Sequence, residues 1–226
     1  MVAVPGAVLT MGSTAQGAEP NEGPVHDVNV NGFWLDRTEV TVGAYRACVA
    51  RGACEVPRST SVECTFEAGN DAEALNCVSF AEADRFCVAL GRRLPTEAEW
   101  ELAARPSPDA GEGAQFPWGS AAPTCDTFGT YRFHPCGGGR GVGLRTKGRS
   151  GAGIDDLGGN LAEWVQDFYG DRHAIGIPPA QGVAHVLRGG HYRTRTFSEM
   201  RFTARSWGSM AERGPTTGFR CARDKN

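Results

Sequence analysis

The sequence predicts an α+β fold that is low in regular secondary structure, with three helices plus short antiparallel strands. Helix start signals occur three times in the first half of the chain, at Thr41, Ser79 and Thr96. Alternation of apolar and polar residues is confined to short runs, which is typical of short strands. With 226 residues and 40% apolar content, the chain can bury a sizeable core, as one large domain or two small ones.

The N-terminal part predicts two strands. Residues Val2–Thr10 alternate in polarity around Pro5-Gly6 and predict an opening strand. Residues 12–24 are rich in Gly, Pro, Asn and Glu and predict a loop. The alternation resumes over Val25–Leu35, which predicts the second strand.

The three helices follow from local capping signals. Thr41 caps the first helix, which ends near Gly52. Ser79 and Glu82 form a capping box for the second helix, and Gly91 stops it. The third helix has a capping box at Thr96-Glu97-Ala98-Glu99 and ends before Pro106. Residues 55–74 and 106–153 have no usable periodicity and predict loops.

Charge is unevenly distributed along the chain. The net charge of −3 argues against a nucleic-acid binder. Residues 186–226 nevertheless hold eight Arg and one Lys against three acidic residues, a local charge of 9 − 3 = +6. These arginines either form a cationic face for an anionic ligand or pair with carboxylates from the first two-thirds of the same fold, and we favour the pairing. No run reaches the roughly 18 apolar residues of a membrane span, and residues 1–9 do not resemble a signal peptide.

Eight cysteines indicate an oxidising compartment. They are even in number, and no Cys-x-x-Cys pair or His cluster indicates a zinc site. We therefore favour a disulfide-bearing protein of the periplasm or the secreted space, with buried free thiols as the alternative.

Residues 154–169 contain a possible calcium site. Gly158-Gly159-Asn160 predicts a tight turn, and Asn160, Glu163 and nearby carbonyls offer the oxygen ligands that calcium prefers. In the alternative interpretation, Asn160 caps a short helical turn and Glu163 pairs with an arginine.

Several ordered segments resemble the formylglycine-generating enzyme (sulfatase-modifying factor) family. They are Phe33-Trp34-Leu35-Asp36-Arg37-Thr38-Glu39-Val40-Thr41, Gly91-Arg92-Arg93-Leu94-Pro95-Thr96-Glu97-Ala98-Glu99-Trp100-Glu101, Phe116-Pro117-Trp118-Gly119, Gly159-Asn160-Leu161-Ala162-Glu163-Trp164, Leu187-Arg188-Gly189-Gly190 and Gly218-Phe219-Arg220-Cys221. The resemblance implies a single domain over residues 1–226 with a C-type-lectin-like fold.

The family resemblance also implies specific bonds. A structural Ca²⁺ would be held by the side chains of Asn160 and Glu163 and the carbonyls of Gly159 and Leu161. The family disulfide corresponds to Cys87 and Cys221. Cys125 with Cys136 is the next plausible bridge, and the other four cysteines can pair in three ways.

The family's copper site does not carry over. Copper-dependent members use a Gly-Gly-Ser-Tyr-x-Cys-x-x-x-x-Cys segment, in which both thiols bind the metal. Here the serine is replaced by His191, the first cysteine by Thr194 and the second by Glu199. Neither replacement supplies the sulfur ligand that suits Cu(I), so copper is not expected. The relative that acts in ergothioneine synthesis keeps its iron in a separate helical domain, for which this chain has no room.

Two functions remain. In the first, a binding or structural module presents the 191–213 surface to a protein, peptide or anionic glycan, through Tyr192, Arg193, Arg195, Arg201, Trp207 and Arg213. In the second, an oxidoreductase has rebuilt its site from the family segment, whose candidate residues are His191, Tyr192, Thr194 and Glu199. His191 and Glu199 would then bind iron or copper with His173 or His185.

Overall fold

The computed structural model describes residues 1–58, 61–128, 140–173 and 180–225, and it confirms the α+β class. Each predicted N-terminal strand is in fact two. The first divides into β1 (Val2–Val4) and β2 (Ala7–Met11), and the second into β3 (His26–Val30) and β4 (Phe33–Leu35). The chain changes sheets at Gly6, where an added Cβ would lie 2.7 Å from the backbone nitrogen of Gly32. This close approach requires glycine.

Four helices occupy the described part of the chain, one more than predicted. They are α1 (Val42–Ala50), α2 (Thr65–Ala68), α3 (Phe80–Ala89) and α4 (Glu97–Ala104). The Thr41 cap and the capping boxes of α3 and α4 are confirmed. The additional α2 is a single turn inside the predicted loop, where the buried Asn76 side chain accepts from the Thr65 backbone N–H at 2.7 Å. A turn held by such a distant partner leaves no local sequence signal.

The C-terminal part supplies the largest sheet. Its strands are β5 (Ala162–Phe168), β6 (Ala184–Arg188), β7 (Arg205–Ser209) and β8 (Thr217–Gly218), in the order β7-β6-β5-β8. The β5–β8 pair is parallel and the others are antiparallel. Because β5 begins at Ala162, the alternative of a short helical turn after Asn160 is wrong. Asn160 has a φ of 66°, which ends the turn before the strand.

The first and last segments of the chain meet in a small sheet. Strand β4 lies between β1 and β9 (Ala222–Asp224), antiparallel to both, and β2 pairs with β3 in a separate hairpin. Three buried apolar clusters fill the described interior: one around Trp164, one around Trp100, and a smaller one of Phe116, Phe128 and Met200.

Three disulfides connect the described segments. The predicted Cys87–Cys221 bridge is confirmed. The four cysteines with open pairing form Cys48–Cys54 and Cys64–Cys77. Cys136 lies outside the described residues, so its bridge to Cys125 stays a prediction. None of the helices in the described ranges is long and apolar enough to cross a membrane.

Candidate functional site

The segment between β6 and β7 lines a cleft of about 330 Å³. It leaves β6 at Gly189, whose φ of 78° turns the chain away from the sheet. The opposite wall is formed by Glu19 and Glu22, at the short 3₁₀ turn Pro20–Glu22. The other lining residues are Gly189, His191, Thr194, Thr196, Ser198, Glu199, Ala204, Arg205 and Ser206. Three of the four candidate residues of the family active-site segment therefore share one cleft.

His191 is neutral in this cleft. Its Nδ1 accepts from the backbone N–H of Arg193 at 3.1 Å. Burial lowers the pKa of His191, although the nearby carboxylate of Glu199 partly opposes the shift. A neutral imidazole that accepts at Nδ1 carries its proton on Nε2, so His191 is a hydrogen-bond donor.

The two residues at the cysteine positions have local structural partners. Thr194 is fully buried, and its Oγ1 accepts from the His191 backbone N–H at 2.8 Å. Glu199 Oε1 accepts from the Thr196 hydroxyl at 2.9 Å and from its backbone N–H at 3.2 Å, which caps the 3₁₀ turn Phe197–Met200. Both side chains hold the loop in shape.

The histidines predicted to complete a metal site lie elsewhere. His185 is stacked between Phe80 and Phe168, with centroid distances of 3.4 and 4.2 Å. His173 lies against His26, and neither His173 nor His185 lines the cleft. Across the described ranges, no three His, Cys, Asp or Glu side chains converge closely enough to hold a metal ion.

The predicted 191–213 binding surface is only partly assembled. Arg195 and Trp207 are exposed, Tyr192 is partly exposed, and Arg193 is paired with Glu63. Arg201 is not on this surface, because it is 3% exposed and its guanidinium is bound to Glu22. Arg213 is paired with Glu82 on α3 at 3.0 Å.

The favoured interpretation of the arginine surplus is confirmed, because these guanidinium groups bind carboxylates from earlier in the chain. Arg188 is fully buried between Glu97 and Glu101, at 3.3 and 2.7 Å. Arg205 also binds Glu97, at 2.5 Å. The positive charge of the C-terminal segment is therefore largely used inside the fold.

The side chains of the predicted calcium ligands Glu163 and Asn160 have partners within the protein. Both carboxylate oxygens of the buried Glu163 accept from Arg220, at 2.6 and 2.7 Å, and Trp100 Nε1 donates to the same carboxylate at 2.9 Å. Asn160 instead donates its amide to Glu39 at 3.1 Å. The structure therefore shows the alternative in which Glu163 pairs with an arginine.

Two carboxylates that sequence reasoning missed lie beside this pair. Glu39 is 2% exposed and accepts from the Leu161 backbone N–H at 3.2 Å. Burial, with the neighbouring Asp156 and Glu163, raises the pKa of Glu39, and burial also raises that of Asp156. Among the described residues, Arg220 is the one cation ion-paired to this group of three acids. The one feature of the sequence that could have indicated Glu39 is a single acidic residue directly before the apolar Val40.

Comparisons with known proteins agree on one family. The model of the sulfatase-modifying factor enzyme 1-like domain matches residues 1–225. A formylglycine-generating enzyme of Thermomonospora curvata is 28% identical over 285 residues, covering 99% of this chain and 93% of that enzyme. A hercynine oxygenase of Mycolicibacterium smegmatis is 29% identical over 268 residues, covering 99% of this chain but only 61% of that protein.

Solved structures support the fold. PvdO from Pseudomonas aeruginosa superposes with a TM-score of 0.80 at 24% identity, over 99% of this chain and 93% of that chain. At this identity the likeness extends to the fold alone.

Proposed function

We propose, from the premise that this chain belongs to the sulfatase-modifying factor family, that it is a binding protein which uses the family's active-site cleft without the copper reaction. The observation that carries the proposal is the cleft itself. It is formed by the segment that resembles the family active site, yet the two thiol positions hold Thr194 and Glu199. Their oxygen atoms hold the loop and do not suit Cu(I).

The chemistry of the cleft favours a polypeptide ligand over an anionic glycan. The neutral His191 offers a donor, and the Thr196 and Ser198 hydroxyls each donate and accept. These groups match the alternating N–H and C=O groups of a peptide backbone. The carboxylates of Glu19 and Glu199 repel anions, and the guanidinium of Arg205 is already held by Glu97.

Filling the cleft tests this proposal. Peptides are first selected from a random display library for binding to the wild-type protein. Their affinity for the Ser198→Trp variant, whose indole fills the cleft, should be at least about tenfold lower. Val88→Trp adds the same side chain on the exposed face of α3 and should bind as the wild type does. Equal binding by both variants, with unchanged thermal unfolding, would place the ligand elsewhere and overturn the proposal.

A structural Ca²⁺ is the second part of the proposal. It is supported by the surplus of buried negative charge around Glu39, Asp156 and Glu163. The carboxylates of Glu39 and Asp156 accept hydrogen bonds but form no ion pair with a described residue. With the carbonyls of Gly159 and Leu161 they would hold the ion, which would neutralise the cluster and stabilise the turn. The disulfides are compatible with a periplasmic or secreted location, where Ca²⁺ is abundant.

Thermal unfolding with CaCl₂ tests this part. At 100 times the dissociation constant, Ca²⁺ should add about 2.7 kcal/mol to the free energy of unfolding, and excess EGTA should reverse the gain. Glu39→Gln should abolish the gain. An identical midpoint of thermal unfolding in CaCl₂, MgCl₂ and EGTA would overturn the proposed Ca²⁺ site.

An oxidoreductase is the second candidate. It is favoured by the names of the relatives and by the position of His191 and Glu199 in one cleft. Metal analysis of the purified protein separates the candidates. Stoichiometric iron or copper that is lost in His191→Ala would support the oxidoreductase and overturn the binding protein.

A further inference from the structure

A second and larger cavity lies away from the family active-site segment. Its volume is about 660 Å³, within the range of small-molecule sites. Its walls come from the β3 strand, the start of α4, the end of β5, and Asp224 and Lys225 near the C-terminus. None of His191, Thr194 or Glu199 lines it. Among the described lining residues the two cavities share Arg205 alone, so this cavity is a second place where a ligand can bind.

Most charged groups of this cavity are already paired. Arg93 binds Glu99 and Asp224, at 2.6 and 2.5 Å. Arg205 binds Glu97, at 2.5 Å. Their charges are held in these ion pairs, so they form walls of the cavity. Arg172 and Lys225 also line it, but both are exposed to solvent, which screens their charge.

Asp167 is a partly buried acid of this cavity that forms no ion pair with a described residue. It lines the cavity, and its side chain accepts at Oδ2 from the backbone N–H of Glu97 at 2.6 Å. No Lys, Arg or His among the described residues lies within ion-pair distance of Asp167. Burial, followed by the charge of Glu97, raises the pKa of Asp167 to about 6. A partly buried carboxylate without a cation is costly, and a ligand cation offsets that cost.

The lining also includes apolar side chains and a buried polar atom that has no hydrogen-bond partner in the described structure. Met11, Val28, Ala98 and Phe168 contribute apolar surface. His173 also lines the cavity and is 5% exposed, and its Nε2 is buried without a hydrogen-bond partner in the described structure. A buried polar atom of this kind is normally satisfied, so it indicates a missing partner.

We infer that this cavity is a second binding site, which takes a small ligand with a protonated amine on an apolar body, and that Asp167 binds the amine. The site does not depend on the function proposed for the active-site cleft. It requires only the cavity, the unpaired carboxylate and the apolar wall.

Three matched probes test the charge preference. They are 2-phenylethylamine, 2-phenylethanol and phenylacetate, which share one ring and differ in the charge of the end group. Calorimetric titration of the wild-type protein at pH 7.5 should give an affinity for the amine at least about tenfold above that for the alcohol, and no binding of the anion. Equal affinities for amine and alcohol, or absence of amine binding, would overturn the inference.

Three variants locate the binding. Asp167→Asn keeps an acceptor for the Glu97 N–H and removes the charge, so the amine should bind no better than the alcohol. Ala98→Trp fills the cavity and should abolish binding of both. Val88→Trp, on the exposed face of α3, should bind as the wild type does. Unchanged amine affinity in Asp167→Asn would show that the amine binds elsewhere, and each variant's thermal unfolding verifies its fold.

Discussion

Buried guanidinium groups organise the polar interior at the scale of single residues. Arg188 has no exposed surface and binds Glu97 and Glu101 together with the carbonyls of Phe202 and Thr203. Such groups are stable only while every partner is present, because an isolated buried charge is poorly solvated.

Replacing Arg188 should therefore be severely destabilising. Arg188→Met leaves Glu101 buried with only the partly exposed Arg105 as its cation, and we expect a loss of about 3–5 kcal/mol in the free energy of unfolding. Urea denaturation of the variant and the wild type measures this loss. Arg223→Met removes an exposed arginine and should change stability by less than about 0.5 kcal/mol. A loss as small as that of the control would show that the Arg188 network is not needed for stability.

The environment of Asp167 predicts that the free energy of unfolding falls as pH rises. A salt-bridged acid has the opposite effect. Its pKa is raised to about 6 in the folded state, from an ordinary value of 3.8, so the folded state resists its ionisation. Stability is therefore lost as pH rises from about 4 to about 6. Asp167→Asn should be more stable than the wild type by about 1–3 kcal/mol at pH 7, and equally stable near pH 4. A constant difference across this range, measured by denaturant unfolding, would contradict the assignment.

At the scale of elements, helix starts are determined locally. In α3, the Ser79 hydroxyl accepts from the Glu82 backbone N–H, and the Glu82 carboxylate accepts in return from the Ser79 backbone N–H at 2.7 Å. Both partners lie within four residues, so the sequence alone predicts the bonds. The boundaries of β1–β4 depend instead on which strand of a distant segment lies alongside, and two predicted strands became four.

Removing the α3 cap measures the strength of the local signal. Ser79→Ala should cost about 1 kcal/mol of unfolding free energy. Ser209→Ala, at an exposed position of β7, is the matched control and should be close to neutral. A neutral Ser79→Ala would mean that Glu82, which is also held by Arg213, maintains the helix start by itself.

At the scale of the whole molecule, the Cys87–Cys221 disulfide joins α3 to the segment before β9. It spans 134 residues, against 6 for Cys48–Cys54. The loop-closure model assigns about 5 kcal/mol to the long loop and about 2 kcal/mol to the short one. Replacing both cysteines of each bridge by Ala, with thermal unfolding as the measurement, should reproduce that order. The reverse order would show that native packing, and not loop length, determines the contribution of each bridge.

Sequence by itself determined the helix starts, the family resemblance and the presence of Thr194 and Glu199, not cysteines, in the segment that resembles the family active site, because each depends on residue type at short spacing. The tertiary structure alone decided which carboxylate each arginine binds, since Arg188 and Glu101 are 87 residues apart. It also decided that Arg201 is buried, that Glu163 binds Arg220, and that Asp167 lines a cavity and forms no ion pair with any described residue. These outcomes depend on solvent access and on partners from distant segments, which spacing along the chain does not encode.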